Sequence, residues 1–310
     1  MQVITGTIMS DLKALPEIFD NPIVVCPLCG SDRIRPRHQI QKYKPTFNID
    51  ICDACGFMFM NPRLNDSAVN NLYDEDYYAG KAEYSYYDER EVEKYSRYVW
   101  DKRIRIIRRY VKSGNILDVG SSFGGFLKSA SKFFIPHGIE VSSYAGGYSK
   151  SAIGSTVHIG TLNDHPFRED YFSVITMIEL LEHLPDPVFA LRESYRLLRE
   201  GGLLLIQTAN MSGLQAKILG KNYAYFMPGH LSYFTKRNLV MALKNCGFRK
   251  IKVFHPGEFG ILPKLKKSRH TFKSILDYRR WLRIAVYHYL SKIHYGDFAV
   301  TSSMVIYAFK

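Results

Sequence analysis

The stretch Asn115-Ile116-Leu117-Asp118-Val119-Gly120-Ser121-Ser122-Phe123-Gly124-Gly125-Phe126-Leu127 decides the fold of this chain. Its residues 116–119 are predicted to form a short buried strand, which a glycine-rich turn follows. A helical pattern then runs through residues 126–134. A strand that turns through glycines into a helix lets a ligand approach the backbone closely and points the helix N-terminus at it. The stretch therefore predicts a ligand site, although a glycine-rich turn alone is weak support.

Further strands and helices alternate downstream of this stretch. The predicted strands lie at 136–142, 171–178, 203–208 (after a turn at 199–202) and 250–255, and the predicted helices at 124–134, 144–152, 187–199 and 236–246. The alternation predicts an α/β fold with a doubly wound parallel sheet, in which ligands bind at the carboxyl ends of the strands. Glu140 ends the second strand, where an acid can accept hydrogen bonds from both hydroxyls of a ribose.

Residues 118–124 have the pattern D-x-G-x-S-x-G. The dinucleotide fingerprint G-x-G-x-x-G does not fit, because Ser122 stands where its second glycine would be. The pattern instead resembles motif I of class I S-adenosylmethionine (SAM) methyltransferases, D/E-x-G-x-G-x-G, from which Ser122 is a departure. The resemblance covers about residues 103–255 and a last strand at 303–309.

This resemblance implies a Rossmann-like, seven-stranded and mostly parallel sheet, with strand 303–309 antiparallel beside strand 250–255. It also implies SAM as the cofactor, with a loop at 160–164 bordering the adenine. The residues predicted to bind SAM are Asp118, Gly120, Ser121, Ser122, Phe123, Gly124, Glu140, Val141, Thr161, Leu162, Asn163, Met177 and Ile178.

Four of the five cysteines form two C-x-x-C pairs, Cys26 with Cys29 and Cys52 with Cys55. Two such knuckles complete a tetrahedron around zinc, so residues 22–63 are predicted to be a zinc ribbon. Four thiolate ligands would close the site, which makes it structural and not catalytic. The alternative, two redox C-x-x-C motifs, lacks a thioredoxin-like context. The remaining Cys246 is predicted to be a small buried apolar residue.

Residues 64–110 carry a dense set of aromatic side chains, and residues 91–110 have a helical period. The aromatic residues are Tyr73, Tyr77, Tyr78, Tyr84, Tyr86, Tyr87, Tyr95, Tyr98, Trp100 and Tyr110. One interpretation is a linker and a helix packed on the catalytic domain, residues 111–310. The other is that some tyrosines form a lid over SAM or line the substrate site, because a phenol combines apolar area with a hydrogen bond.

An E-x-x-E-H run, Glu179 to His183, follows the strand at 171–178, and His230 precedes the helix at 236–246. This set resembles the divalent-metal site of the ubiquinone-pathway catechol O-methyltransferases and of the small-RNA 3′-end 2′-O-methyltransferases. The resemblance implies Mg²⁺ or Mn²⁺ held by Glu179, Glu182, His183 and His230, which would activate a hydroxyl. Two alternatives stay open: catalysis by His183, His230 and Glu182 with an imidazole as general base, or a purely structural role.

The net charge of +13 is concentrated in one segment. Residues 264–292 hold nine Lys or Arg and one acid, Asp277, a net charge of +8. They belong to a predicted basic helical insertion at about 262–296, with an amphipathic helix through residues 272–293. Three partners stay open for this helix: its own domain, an anionic membrane surface, or a second copy of the chain. We expect no transmembrane helix and no signal peptide, and the paired cysteines favour the cytoplasm.

The expected function is methylation of a hydroxyl on a small polar, polyhydroxylated acceptor, such as a sugar or a nucleotide-sugar, which can carry phosphate. The zinc ribbon and the H-L-x-x-F-T pattern at 230–235 resemble methyltransferases that act on sugars and other small polar metabolites. One alternative is an RNA methyltransferase with a zinc module, although nucleic acid is the weaker partner because the ribbon is basic only at residues 33–44. A second alternative is a SAM-binding module without catalysis.

Overall fold

The computed structural model describes residues 18–72, 75–78, 88–153, 156–255 and 258–310. Within these residues the chain forms strands that build one large and two small sheets. The strands are β1 (Ile34–Ile40), β2 (Phe47–Cys52), β3 (Met58–Met60), β4 (Asn115–Val119), β5 (Ile135–Glu140), β6 (Thr156–Ile159), β7 (Phe172–Ile178), β8 (Leu198–Ala209), β9 (Ser232–Tyr233), β10 (Lys250–Phe254), β11 (His294–Tyr295), β12 (Phe298–Ala299) and β13 (Ser303–Phe309).

Helices cover the large sheet and link it to the small ones. They are α1 (Asp66–Leu72), α2 (Glu75–Tyr78), α3 (Glu89–Ile107), α4 (Gly125–Ala130), α5 (Ser143–Ile153), α6 (Pro187–Leu197), α7 (Leu214–Leu219), α8 (Lys236–Asn245), α9 (Ile261–Ser268) and α10 (Arg279–Leu290). Among the described residues, none of these helices is both long enough and apolar enough to cross a bilayer.

The large sheet has the strand order β10-β13-β8-β7-β4-β5-β6. Strands β4 to β8 run parallel, and β13 is antiparallel to both β8 and β10. Its central strands are fully buried because helices cover both faces, as the continuous apolar runs of β4 and β7 require. This confirms the predicted doubly wound, seven-stranded fold. The carboxyl ends of β4, β5 and β7 meet at one edge, which is where the crevice lies.

Two predicted boundaries in this domain were wrong. The residues predicted to form a turn at 199–202 belong to β8, which runs unbroken from Leu198 to Ala209. The strand absorbs the turn because Gly201 adopts a φ of 71° and the pairing with β7 shifts register near Phe172. The helix predicted at 124–134 ends at Ala130, since Ile135 already begins the next parallel strand.

The sheet of the cysteine-rich region has the order β1-β2-β3-β9. Its fourth strand, β9, comes from the large domain, more than half of the chain further on. Met58 pairs with Tyr233 and Phe59 with Ser232, and the amide of Met60 donates to the carbonyl of Leu231 at 3.1 Å. The sequence does not reveal this pairing, because two residues are too short to show a strand period.

The basic insertion is built from two helices and two 3₁₀ turns, and the amphipathic helix predicted through residues 272–293 runs from 275 to 290, as a 3₁₀ turn at 275–278 that continues into α10. Between α9 and α10 the chain is extended at Phe272, and a capping box of Ser274 with Asp277 begins a new turn at residue 275. A capping box supplies the amide partners that a helix start lacks, so it favours a fresh start over a continuous helix. The helix α9 packs on α3, and α10 packs on α9.

Candidate active site

The cofactor wall of the crevice is the turn between β4 and α4. Gly120, Ser122 and Gly124 all adopt left-handed conformations, with φ of 74°, 48° and 77°. Ser122 therefore takes the backbone conformation that glycine favours at this position of the motif, at a cost of about 1–2 kcal/mol. The amides of Gly120 and Ser121 donate to the carbonyl of Ile139, which ties the turn to the end of β5.

Glu140 lies at this turn with a carboxylate that is already well bound. Its Oε2 accepts a hydrogen bond from the amide of Ser122 at 2.7 Å. Its Oε1 accepts from the amide of Ser142 and from the hydroxyl of Tyr78, both at 2.9 Å. Burial raises the pKa of Glu140, and these hydrogen bonds oppose the shift. The phenol of Tyr78 thus stands where a ribose hydroxyl would bind.

Asp118 is buried on β4, the strand beside the one that carries Glu140. Its ionised carboxylate cannot donate a hydrogen bond. Its Oδ1 accepts a hydrogen bond of 2.5 Å from the hydroxyl of Thr176 on β7. Burial raises the pKa of Asp118 to about 8, against the lowering effect of Thr176. Burial thus favours the protonated form of this carboxyl group, which can donate a hydrogen bond to a ligand.

The other residues predicted to bind SAM lie in this turn and at or just after the carboxyl ends of β5, β6 and β7. The hydroxyl oxygens of Ser121 and Ser122 are buried and have no hydrogen-bond partner among the described residues, which suits a polar ligand here. Phe123 packs with Tyr78 and Ala145. In the loop after β6, Asp164 accepts from the amide of Thr161 at 2.6 Å. Of the remaining predicted residues, Val141 and Asn163 are exposed. Leu162 and Met177 are buried, and Ile178 is half-buried. These residues fit SAM.

Some aromatic residues of 64–110 fit the interpretation of a helix packed on the catalytic domain, and others fit that of a lid over the cofactor. Tyr73, Tyr84, Tyr86 and Tyr87 lie outside the described residues. Trp100 is buried on α3 among the core residues of the large sheet. Tyr77 and Tyr78 instead lie beside the cofactor turn, and the ring centroid of Tyr78 is 5.8 Å from that of Phe123. This position supports the interpretation of a lid over the cofactor for α2.

The acceptor wall lies at the end of β7. A 3₁₀ turn, Leu181–His183, carries the acid and the first histidine, and a loop ending at β9 carries the second. The ligand atoms of Glu182, His183 and His230 all lie within 4.8 Å of one another. The amide of Leu231 donates to the carbonyl of Glu182 at 2.8 Å, which joins the two loops.

Both histidines are oriented by backbone carbonyl groups. Nδ1 of His183 is 2.8 Å from the carbonyl oxygen of Gly229, and Nδ1 of His230 is 2.7 Å from that of Tyr225. A carbonyl only accepts, so both Nδ1 atoms carry a proton and both Nε2 atoms keep a lone pair in the neutral rings. Burial lowers the pKa of His183, and burial followed by the charge of His183 lowers that of His230. Each Nε2 can therefore accept a proton or bind a metal.

Glu182 is fully buried beside these rings. Its Oε1 accepts a hydrogen bond of 2.5 Å from the hydroxyl of Tyr225, while Oε2 has no partner among the described residues. A buried carboxylate oxygen without a partner is costly unless a ligand completes it. Sequence patterns gave no signal for Tyr225, because it lies in a loop without periodicity.

Glu179, the fourth predicted metal ligand, is not part of this group of three. Its backbone is left-handed, with a φ of 54°, and its carboxylate accepts a hydrogen bond from the amide nitrogen of Gln207. Gln207 in turn accepts from Arg103, which forms a buried ion pair of 2.7 Å with Glu258. The Glu179 side chain faces the crevice but has protein atoms around it. This burial is the main cause that raises its pKa to about 7, and the charge of Glu182 is the second. Gln207 could have been anticipated as a polar residue near the carboxyl end of a parallel strand.

The four paired cysteines also come together. The Sγ atoms of Cys26 and Cys55 are 3.7 Å apart, as are those of Cys29 and Cys52, and all four lie within 4.8 Å of one another. Four thiols at this separation are a donor set that fits zinc. The same region reaches the acceptor wall twice, through the β3–β9 pairing and through the buried guanidinium of Arg63, which donates to the carbonyl of Pro185.

Comparison with known proteins identifies the family of the large domain. A family model described as a methyltransferase domain matches residues 89–253, just over half of the chain. An uncharacterized protein of Methanocaldococcus jannaschii, MJ1123, is 24% identical over 169 residues, which cover 54% of this chain and 77% of that protein. The ubiquinone biosynthesis O-methyltransferase of Pseudomonas entomophila is 29% identical over 106 residues, which cover 31% of this chain and 44% of that enzyme.

A solved structure extends the likeness to the fold. The phosphoethanolamine N-methyltransferase 2 of Haemonchus contortus, solved with SAM, superposes with a TM-score of 0.51 and 14% identity. The match covers 88% of this chain and 71% of that one. Together with the family match, the strand order and the cofactor turn, this shows that the chain belongs to the methyltransferase domain family and is a SAM-dependent methyltransferase of class I fold.

Proposed function

We propose that this enzyme transfers the methyl group of SAM to a hydroxyl oxygen of a small polyhydroxylated acceptor, such as a sugar or a nucleotide-sugar. The observation that carries the proposal is the group of Glu182, His183 and His230, in which two neutral imidazoles keep their Nε2 lone pairs. The 29% identical region of the Pseudomonas entomophila O-methyltransferase supports oxygen as the methylated atom.

Transfer from a sulfonium is an in-line displacement, in which the acceptor oxygen attacks the methyl carbon and the bond to sulfur breaks. The products are a methyl ether and S-adenosylhomocysteine. A neutral hydroxyl is a poor nucleophile, so its proton must leave as the new bond forms. His183 suits the role of base, because its Nε2 is an acceptor and its side chain is only half-buried. Glu182, held by Tyr225, would stabilise the imidazolium.

The same three side chains also fit a divalent cation. Two imidazole nitrogens and one carboxylate suit Mn²⁺ better than Mg²⁺, which prefers oxygen ligands alone. A cation bound there would lower the pKa of the acceptor hydroxyl and fix its position. Glu179 lies outside this set of three and would have to move closer to become a fourth ligand. In the cysteine-rich region, Cys26, Cys29, Cys52 and Cys55 would hold one structural zinc ion.

The test is to screen sugars, nucleotide-sugars and catechols for the formation of S-adenosylhomocysteine, and then to study the best acceptor. His183→Asn should lower kcat about a hundredfold, because a positioned base contributes that much, while the SAM affinity stays unchanged. His294→Asn, at an exposed histidine, is the matched control.

Addition of a chelator separates the two catalytic versions. If a cation takes part, chelation should remove the activity of the wild type and Mn²⁺ should restore it. Full activity in chelator would mean that no cation takes part and that His183 acts as a general base. Full activity of His183→Asn on every acceptor would contradict the proposal, as would methylation of nitrogen or carbon in the product.

A further inference from the structure

The helix α10 turns an apolar face toward solvent. Leu282, Val286 and Leu290 follow one another at four-residue steps, and their side chains are 68%, 49% and 39% exposed. The opposite face is the packed one, since Trp281, Ile284 and Ala285 are half-buried and His288 is buried. An amphipathic helix on its own domain would bury its apolar stripe. Here the strongest aliphatic stripe faces outward.

Further exposed apolar side chains lie on α10 and in the segments on either side of it. The neighbouring exposed apolar residues are Leu276, Tyr278, Tyr289, Ile293, Tyr295 and Phe298, with Tyr295 at the tip of the β11–β12 hairpin. We call this set, together with Leu282, Val286 and Leu290, the α10 surface. Scattered exposed apolar residues are ordinary, but a run of this length on one segment marks an interaction site.

Basic side chains alternate with the apolar ones. The exposed Lys and Arg of the insertion are Lys266, Arg269, Lys273, Arg279, Arg280, Arg283 and Lys292. Arg280 lies 3.6 Å from Asp277, the one acid of residues 264–292. Arg283 and Leu282, by contrast, line the same shallow depression with Val286, Tyr287 and Leu290. The partner of this surface must therefore offer apolar and anionic groups together.

We infer that the α10 surface docks on the surface of an anionic lipid bilayer. Aliphatic side chains with Lys and Arg beside them insert into the boundary between head groups and acyl chains, while the cations meet lipid phosphates. RNA fits less well, because single strands are held by basic grooves whose aromatic residues stack on bases, and Leu282, Val286 and Leu290 cannot stack. A second copy of the chain would bring two segments of charge +8 together.

The docking does not depend on which acceptor the enzyme uses.

The experiment is co-sedimentation of the full chain with phosphatidylcholine vesicles, with and without added phosphatidylglycerol, at low and high salt. The wild type should bind the anionic vesicles, and the binding should weaken with salt because screening shortens the range of the charges. Arg279→Glu with Arg283→Glu should weaken binding roughly tenfold or more, since each basic residue near the membrane contributes separately. Leu282→Ser should weaken it several-fold through lost apolar burial.

Matched variants elsewhere control for charge and hydropathy. Arg249→Glu with Lys250→Glu makes the same charge change at two exposed residues beside β10 and β13. Ile135→Ser removes an aliphatic side chain that is 61% exposed, close to the 68% of Leu282. Both controls should bind anionic vesicles like the wild type. Unaltered SAM affinity in every variant shows that the fold is intact.

Three results would overturn the inference. The first is absent binding, or equal binding to neutral and anionic vesicles. The second is binding of an RNA homopolymer that Arg279→Glu with Arg283→Glu removes and Leu282→Ser leaves intact, without vesicle binding. The third is a dimer in sedimentation velocity that Leu282→Ser dissociates, which would assign the surface to a second copy of the chain.

Discussion

The cofactor wall of the crevice takes its turn and its two acids from one short part of the chain, with single hydrogen bonds from Tyr78 and Thr176, whereas the acceptor wall gathers residues from several distant parts. Residues 118–142 supply the turn, Glu140 and the amides that bind it. The acceptor wall joins the turn at 181–183, the loop at 225–231 and, through β3 and β9, the cysteine-rich region. The first wall is stabilised by local hydrogen bonds, and the second by contacts between segments far apart in sequence.

This difference predicts that the two walls fail separately. The cofactor turn is pinned to β5 by backbone hydrogen bonds inside the large sheet, so it should withstand damage to the cysteine-rich region. His230 lies two residues before β9, whose pairing partner is β3. Its position therefore depends on a sheet that only the folded cysteine-rich region completes.

The largest effect is expected when the cofactor turn itself is broken. In Gly120→Val, a β-branched residue would have to adopt a φ of 74°, and its Cβ would lie 2.9 Å from Cδ1 of Leu180. We expect SAM affinity to fall by about a hundredfold or more, because both strain and steric overlap displace the turn. Isothermal titration calorimetry with SAM measures this.

The matched control is Gly147→Val on α5, where an added Cβ meets no atom within 4 Å. It should bind SAM nearly as the wild type does, and its helix stability should rise slightly because Val is a better helix former than Gly. Unaltered affinity in Gly120→Val would mean that the turn does not bind SAM. Thermal unfolding of both variants distinguishes a lost site from a lost fold.

An intermediate effect is expected on the acceptor wall when zinc is lost. Protein purified without chelator should contain one equivalent of zinc, and Cys52→Ser should lose it. Because β3 positions β9, kcat/KM for the acceptor should then fall about tenfold or more, as displacement of a catalytic group by an ångström commonly causes. SAM affinity should stay close to that of the wild type.

Cys246→Ser is the control, since this half-buried cysteine is not one of the four clustered ones. It should retain both zinc and activity. Less than half an equivalent of zinc in the wild type would contradict the zinc site. An equal loss of SAM binding and acceptor activity in Cys52→Ser would show that the two walls are not independent.

The smallest effect concerns Tyr78, whose phenol donates a hydrogen bond to the carboxylate of Glu140. If SAM must displace this hydroxyl, Tyr78→Phe should bind SAM about threefold more tightly, since one competing hydrogen bond is removed. Tyr77→Phe, on the same short helix, should change the affinity less. Weaker SAM binding by Tyr78→Phe would instead mean that the phenol remains as part of the bound site.

Which features the sequence predicts depends on the same difference between contacts that are local in the chain and contacts between distant segments. The alternating strands and helices and the cofactor turn follow from hydrophobic periods and glycine positions within short windows, so they were predicted. The seven-stranded sheet with its antiparallel last strand was expected only through the family resemblance. Glu182, His183 and His230 were proposed together only through a resemblance. Tyr225, the role of Gln207 and the pairing of β3 with β9 depend on how distant segments meet, and no period or motif records this. The exposed stripe of α10 was predicted as amphipathic, but a period cannot tell which face meets the protein.

The β3–β9 pairing also has a consequence for the order of events at the ribosome. Cys26 to Cys55 are synthesised well before β9, so their four thiols can come together while the large sheet is still unmade. The fourth strand of that sheet arrives only when residue 233 has been synthesised, more than half of the chain later. Until then the edge of β3 is an open template to which another nascent chain can pair. When β9 pairs with β3, it covers that edge and completes the acceptor wall in the same step.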